Sequence, residues 1–392
     1  MNDKLFANRM DTAHKSCIRE ILRVTENPET ISFAGGLPNP KFFPVKEIAN
    51  ASSKVLEEDC ANVLQYSTTE GYLPLREYIA ERYRTKKGLK VGPDEILITN
   101  GSQQGIDLIG KVFLDKGDQI VMERPGYLGA IQALSMYEPI YRSIPLLDDG
   151  IDTDLLETTF RGGGIKLFYT VPNFQNPSGI TYSGQKRRDV ADILKKHDVI
   201  FIEDDPYGEL RFIGEDLPSM GTYIEDNIIL LGTFSKIIAP GLRLGWICAK
   251  KDIMERIIVA KQASDLHSNQ LSQRVIYQYL IDNDIDRHIM RIRDAYKKRR
   301  DLMVSMITEH FPEEIRCTEP DGGMFLWITL PERISSLDLF NLAIQENVAF
   351  VPGNAFYVDG GGNNTLRLNF SNSDETKIEE GIERLANIIK TL

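Results

Sequence analysis

From about Gly92 onward, short apolar runs rich in β-branched residues alternate with runs of helical period. Strand candidates are Ile96–Thr99, Gln119–Glu123, Ile140–Leu146, Lys166–Val171, Val199–Asp204, Ile228–Thr233 and Leu244–Ala249. Stretches such as VIFIE and NIILLG are apolar on both faces, as strands buried inside a covered sheet must be. Helical spacing marks Gly105–Leu114, Gln185–His197 and, more weakly, Gly126–Tyr137. The alternation predicts an α/β fold with a large, mainly parallel, seven-stranded sheet flanked by helices. In such sheets ligands sit beyond the carboxyl ends of strands, so the residues following each run matter most.

The pattern changes after Asp252. Asp284–His310 reads as one long charged helix with an apolar stripe, long enough to bridge two domains. Met324–Leu330 and Thr365–Ser371 read as strands, and Leu337–Glu346 and Thr376–Lys390 as helices. This composes a smaller α+β domain, which the short amphipathic helix Ile18–Val24 joins from the other end of the chain. The expected division is a large domain over 31–290 and a small one made of 1–30 and 291–392.

Composition narrows the function classes. Of the 392 residues, 42% are hydrophobic and 26% charged, which supports a folded core rather than a disordered chain. The net charge of −11 argues against a protein held to nucleic acid by phosphate contacts. It leaves room for a local anion site at a helix N-terminus. The opening MNDKLFANRM has no leader-like apolar run, and no stretch has the length of a membrane span. Cys17, Cys60, Cys248 and Cys317 form no CxxC pair, and the histidines show no metal-ligand spacing. A cytoplasmic enzyme without a protein-bound metal is the expectation, with neither nucleic acid nor membrane as a partner.

One near-motif is a decoy. Gly105–Val112 approaches the phosphate loop GxxxxGK[ST], but Val112 cannot ligate magnesium and the segment has helical period. The residues just before it are better placed. Strand Ile96–Thr99 runs into Asn100-Gly101-Ser102-Gln103 and then a helix, which is a phosphate cradle by geometry, or more plainly an N-cap by Ser102. A second strand ends in Asp204-Asp205-Pro206-Tyr207. A third ends in Gly232-Thr233-Phe234-Ser235-Lys236, with Arg243 seven residues beyond the lysine. A phosphate cradle, a carboxylate and a lysine at strand ends together suit pyridoxal 5'-phosphate: the amine binds the aldehyde and the carboxylate pairs with the ring nitrogen.

The chain resembles the class I/II pyridoxal-phosphate aminotransferases of fold type I. The motifs LQYSTTEGYLPLR, TNGSQQGIDL, PNFQNPSG, IEDDPYGEL, GTFSKIIAPGLRLGW, GGMFLW and NTLRLNF carry the resemblance, in order along nearly the whole chain. FAGGLPNP and the NVAFVPG and GGGNNTLRL segments make it most similar to the 2-aminoadipate (LysN-like) and aromatic branch. The resemblance implies Lys236 as the Schiff-base lysine and proton carrier, and Asp204, rather than Asp205, as the partner of the ring nitrogen. It implies that Tyr207 and Asn176 bond the phenolic oxygen and that Tyr127 stacks on the ring. Gly101, Ser102, Gln103, Ser235 and Arg243 would hold the phosphate, with Thr233 a weaker candidate. Tyr66 would reach the phosphate of a neighbouring subunit, which implies a homodimer. Arg367, assisted by Asn176, would clasp the substrate carboxylate. Gly36 would let the N-terminal segment close over it, and Arg19 is a candidate for a distal carboxylate or an exposed helix residue. The implied activity is amino transfer from an L-amino acid (2-aminoadipate, aromatic or leucine-like) to 2-oxoglutarate by a ping-pong cycle. The alternatives are a lyase on the same scaffold, or a cofactor-binding regulatory module. For the last, only about 30 residues precede FAGGLPNP, too few for a winged helix.

Overall fold

The computed structural model describes residues 6–12, 27 and 29–392. The expected helix Ile18–Val24 and Arg19 lie outside the described residues. The large sheet runs Ile96–Thr99, Gly245–Ala249, Ile228–Thr233, Ile200–Asp204, Ile165–Thr170, Gln119–Arg124, Ile140–Leu147, Gly150–Ile151. Every residue of Ile228–Thr233 and Gly245–Ala249 is buried, as their two-sided apolar runs require. Among the described residues the sheet has eight strands rather than seven. The extra one, Gly150–Ile151, turns back antiparallel onto Ile140–Leu147 and is too short to show a period. Gly245–Ala249 is antiparallel to both neighbours, and apart from it and Gly150–Ile151 the strands pair in parallel.

That one reversed strand shapes the site. Thr99 and Thr233, each ending a strand, both stand opposite Gly245, which begins one. Asp204 ends its strand opposite Leu231. The cradle, the acidic turn and the lysine loop therefore leave the sheet along one edge. The decoy segment is helical, within Ser102–Phe113. Ser102 is not the N-cap; Gly101 holds that position at φ 75°, a left-handed value that favours glycine.

A second sheet, all antiparallel, orders Arg316–Cys317, Phe325–Thr329, Thr365–Asn369 and Val351–Pro352. Helix Ile285–His310 starts at Asp284, whose side chain accepts from the Arg287 amide, and packs along helix Glu375–Ile389. Ile31–Ser32 pairs in parallel with Val348–Ala349, and Phe33 exchanges backbone bonds with Ala349 and Asn369. The chain thus passes from residues 31–33, a two-stranded pairing tied to the second sheet through Asn369, directly to the site edge at Gly36. Among the described residues, no helix is long and apolar enough to cross a membrane.

Candidate active site

Beyond the carboxyl edge of the large sheet lies a cavity of about 210 Å³. Gly101, Ser102 and Gln103 form one wall, with Thr233, Ser235, Lys236 and Arg243 beside them. Asp204, Pro206, Tyr207, Val171, Tyr127 and Asn176 form the floor and opposite side, while Arg367 of the second sheet and Gly36 of the N-terminal segment close it. The structure therefore gathers every residue expected there except Tyr66 and Arg19. Tyr66 is 79% exposed in the single chain, its ring edge-on to His267, and Arg19 is not among the described residues.

The cradle is held by short local bonds. Arg243, itself at φ 53°, donates from Nη2 to the Asn100 carbonyl at 3.2 Å. The Ser235 amide donates to Thr233 Oγ1, and the Gln103 amide group donates to the Gly129 carbonyl at 2.7 Å. A Cβ on Gly101 would stand 2.7 Å from Arg243 Nη2, so a side chain there would displace the guanidinium, and the positive φ itself favours glycine.

Asp204 is 1% exposed. Tyr169 donates to its Oδ2 at 2.6 Å, whereas its Oδ1 is buried without a partner. Burial raises the carboxyl to about 7, against the pull of the Tyr169 bond and the Lys236 charge. Asp205 takes the opposite course. Burial works against its charge, but Lys87, Asn173 and Arg187 outweigh it and hold this carboxyl low. Asp205 also accepts from the Gly208 amide at 2.8 Å, which folds the turn carrying Tyr207.

Lys236 is half-buried, and desolvation of its amine, Arg367 and Arg243 together lower its ammonium to about 8. Its Nζ donates to the Gly36 carbonyl at 3.0 Å. Arg367 stands mid-strand at 1% exposure. It donates to Asn176 Oδ1 at 2.7 Å and to the Ala34 carbonyl at 2.6 Å, and its Nε is buried without a partner. The guanidinium lies 4.4 Å from the Phe325 ring centroid. Asn176 Nδ2 donates to the Tyr207 hydroxyl at 3.3 Å, and burial pushes the Tyr207 phenol well up and that of Tyr127 up to about 12.

Two groups went unnoticed in the sequence. Tyr169 lies inside an apolar strand run, where an aromatic reads as core. Glu123 is the penultimate residue of the neighbouring strand Gln119–Arg124 and is raised by burial to about 7. It accepts from Tyr182, the Val171 amide and Gln175, and so anchors the loop that carries Asn176.

The family model described as aminotransferase class I and II matches residues 34–385. The chain belongs to the class I and II aminotransferases. This aminotransferase is 43% identical over 394 residues to aromatic-amino-acid aminotransferase 1 of Thermococcus litoralis, covering 99% of the chain and 94% of the relative. It is similar to the kynurenine aminotransferase of Pyrococcus horikoshii, solved with PMP, at a TM-score of 0.95 and 43% identity, covering 99% and 98%. It is also similar to LysN, the α-aminoadipate aminotransferase of Thermus thermophilus, solved with N-(5'-phosphopyridoxyl)-L-leucine: TM-score 0.92, 38% identity, 99% and 98% covered. The fold is that of fold type I aminotransferases, and the enzyme is an amino acid aminotransferase dependent on pyridoxal phosphate. The residues of this aminotransferase fit that cofactor. A buried carboxylate oxygen lacks a partner, an amine of lowered pKa shares its cavity, and a glycine turn with an arginine stands at a helix N-terminus.

Proposed function

We propose that this aminotransferase takes the amino group of an L-amino acid and passes it to 2-oxoglutarate in a ping-pong cycle. The donor class is 2-aminoadipate, aromatic or leucine-like, a reading supported by the substrates in the names of its relatives. The observation that carries the reading is one cavity shared by the Lys236 amine, the unpartnered Asp204 Oδ1 and the Arg367 guanidinium.

Pyridoxal phosphate, when bound, supplies an aldehyde that captures amines and a ring that accepts the electron pair left at the substrate Cα. Asp204 Oδ1 holds the proton on the ring nitrogen, and Tyr169 fixes the carboxylate so that this oxygen faces the cavity. Lys236 would anchor the cofactor and, as a free amine, would move the proton at the substrate Cα; its lowered pKa gives it a neutral fraction that an exposed lysine lacks. Gly101, Ser102, Gln103, Ser235 and Arg243 hold the phosphate, with Thr233 bracing Ser235. Tyr127 would cover one ring face, and Asn176 and Tyr207 would bond the phenolic oxygen. Arg367, with Asn176 beside it, takes the substrate carboxylate under the Ala34–Gly36 backbone.

The quaternary and cellular readings belong here too. A homodimer would bring Tyr66 to the neighbouring phosphate, and its 79% exposure suits that role. The division into 31–290 and 1–30 with 291–392 is supported by the separation of the eight-stranded sheet from the four-stranded one, although residues 31–33 bond on the side of 348–369. Cytoplasmic residence is supported by the free thiols of Cys60, Cys248 and Cys317. Arg19 stays the candidate for a distal carboxylate.

The test is a single-turnover experiment. The cofactor-loaded enzyme is mixed with glutamate and no acceptor. Ping-pong transfer releases one 2-oxoglutarate per site and then stops until a second oxo acid is added. Steady production of ammonia, or no 2-oxoglutarate before the second substrate arrives, would overturn the reading. Lys236→Ala should abolish the burst and the mass gain on borohydride trapping of the cofactor.

A further inference from the structure

Lys261 is fully buried, inside the helix Lys251–Asp265, yet it does not line the cavity. A buried ammonium is costly unless every proton finds an acceptor. Here each does: Asp265 Oδ1 at 2.9 Å, Gln104 Oε1 at 3.1 Å and Ser268 Oγ at 3.1 Å. The partners then pass the contact on to one place. Asp265 Oδ2 accepts from Asn100 Nδ2 and from Gln104 Nε2, both at 2.7 Å. Gln104 Oε1 accepts from the Asn100 amide at 2.8 Å. Ser268 donates to the Ile98 carbonyl at 3.1 Å. All three contacts end on residues 98–104, the strand end and first helical turn that present Gly101, Ser102 and Gln103 to the cavity.

A second observation comes from the backbone. The helix stops at Asp265 in a three-residue turn, with the His267 amide donating to the Asp265 carbonyl at 2.8 Å. Its central residue, Leu266, sits at φ 65° and ψ −59°, a strained conformation for a branched side chain. Such strain persists only where the surroundings over-determine the backbone. Here they do, because Asp265 is gripped by Lys261, Asn100 and Gln104, and Ser268 on the far side of the turn by Lys261.

We propose that the Lys261–Asp265 pair is a positioning device for the phosphate cradle, fixing Asn100 and Gln104 and through them the aim of the Gly101, Ser102 and Gln103 amides. The inference rests on the reading of that turn as the phosphate site. The pair acts by geometry, since its charges cancel locally. An anion held by backbone amides is bound tightly when those amides are aimed before it arrives, and less tightly when they must be ordered on binding.

The test separates phosphate from ring. The full chain, stripped of cofactor, is titrated with pyridoxal phosphate and, separately, with pyridoxal, which lacks the phosphate. The variants are Asp265→Asn and the double variant Lys261→Met with Asp265→Leu, which avoids an unpaired buried charge. We expect the double variant to melt near the wild-type temperature and to bind pyridoxal as wild type does. Its affinity for pyridoxal phosphate should fall about tenfold, the scale of one lost charge-assisted hydrogen bond. A loss shared equally by both ligands, or no loss for either, would overturn the proposal. Should the double variant not fold, Asp265→Asn is read by the same ratio. A different result bears on the underlying reading alone: wild type binding pyridoxal as tightly as pyridoxal phosphate would mean that the turn is not the phosphate site.

Discussion

Burial raises Asp204 to about 7 in the cofactor-free protein, and Tyr169 fixes which of its oxygens faces the cavity. The stability consequence has a definite sign. An unfolded aspartate titrates near 3.9, so the folded chain holds this proton more tightly than the unfolded one. The contribution to stability is complete below about pH 4 and is lost as pH rises through about 7. Glu123 has the same sign, so it continues to contribute when Asp204 is removed. We expect the melting temperature of cofactor-free wild type to fall between pH 5 and pH 8, and that of Asp204→Asn to fall less. Equal falls would show that Asp204 ionises freely in the fold. The two partners of this exchange were unequally legible. Asp204 follows an apolar run at a strand end, where chemistry is expected, but Tyr169 lies within such a run and its hydroxyl has no signature in one dimension. Lys261 and Asp265 were hidden differently, because an i,i+4 Lys–Asp pair on a helix ordinarily marks a solvated face.

Packing of whole elements explains why the cradle lies where it does. Gly245 opens the reversed strand directly beneath it. A Cβ there would stand 2.7 Å from the Gly232 carbonyl and from the Ser102 nitrogen, and 2.8 Å from Gly101 C. These are backbone atoms, so no side chain can swing aside. Gly245→Ala should therefore separate the Gly245–Ala249 strand from the cradle. Overpacking of this kind costs about 1–3 kcal/mol, readable as a lower urea midpoint, with weakened cofactor binding alongside. An unchanged midpoint and unchanged binding would mean that the strand and cradle are less tightly joined than the distances indicate. The strands themselves were legible because burial on both faces leaves near-continuous apolar runs, as in Ile228–Thr233. Direction was not. Neither the reversal of Gly245–Ala249 nor the two-residue return at Gly150–Ile151 alters hydrophobic pattern, since both are set by which strand lies adjacent in space.

At the scale of the whole molecule, the cavity is assembled from distant parts of the chain. Lys236 comes from the large sheet's edge, Arg367 from the second sheet, and the Ala34–Gly36 backbone bonds to both. Among the described residues, Tyr66 is the expected one that a single chain does not bring to its own cavity. Complementation between inactive variants decides whether it serves a second copy. Lys236→Ala lacks the reactive amine, and Tyr66→Ala lacks the aromatic hydroxyl. If Tyr66 acts across a two-fold interface, a mixed dimer contains one site with both defects and one site with neither. Equal amounts of the two variants, dissociated and reassembled together, should then recover activity in about a quarter of all sites under random pairing. If Tyr66 acts within its own chain, every site retaining Lys236 also carries the Tyr66 defect, and mixing recovers nothing beyond the residual rate of Tyr66→Ala. Absence of gain, with mixed dimers verified by mass, would place Tyr66 outside the neighbouring site.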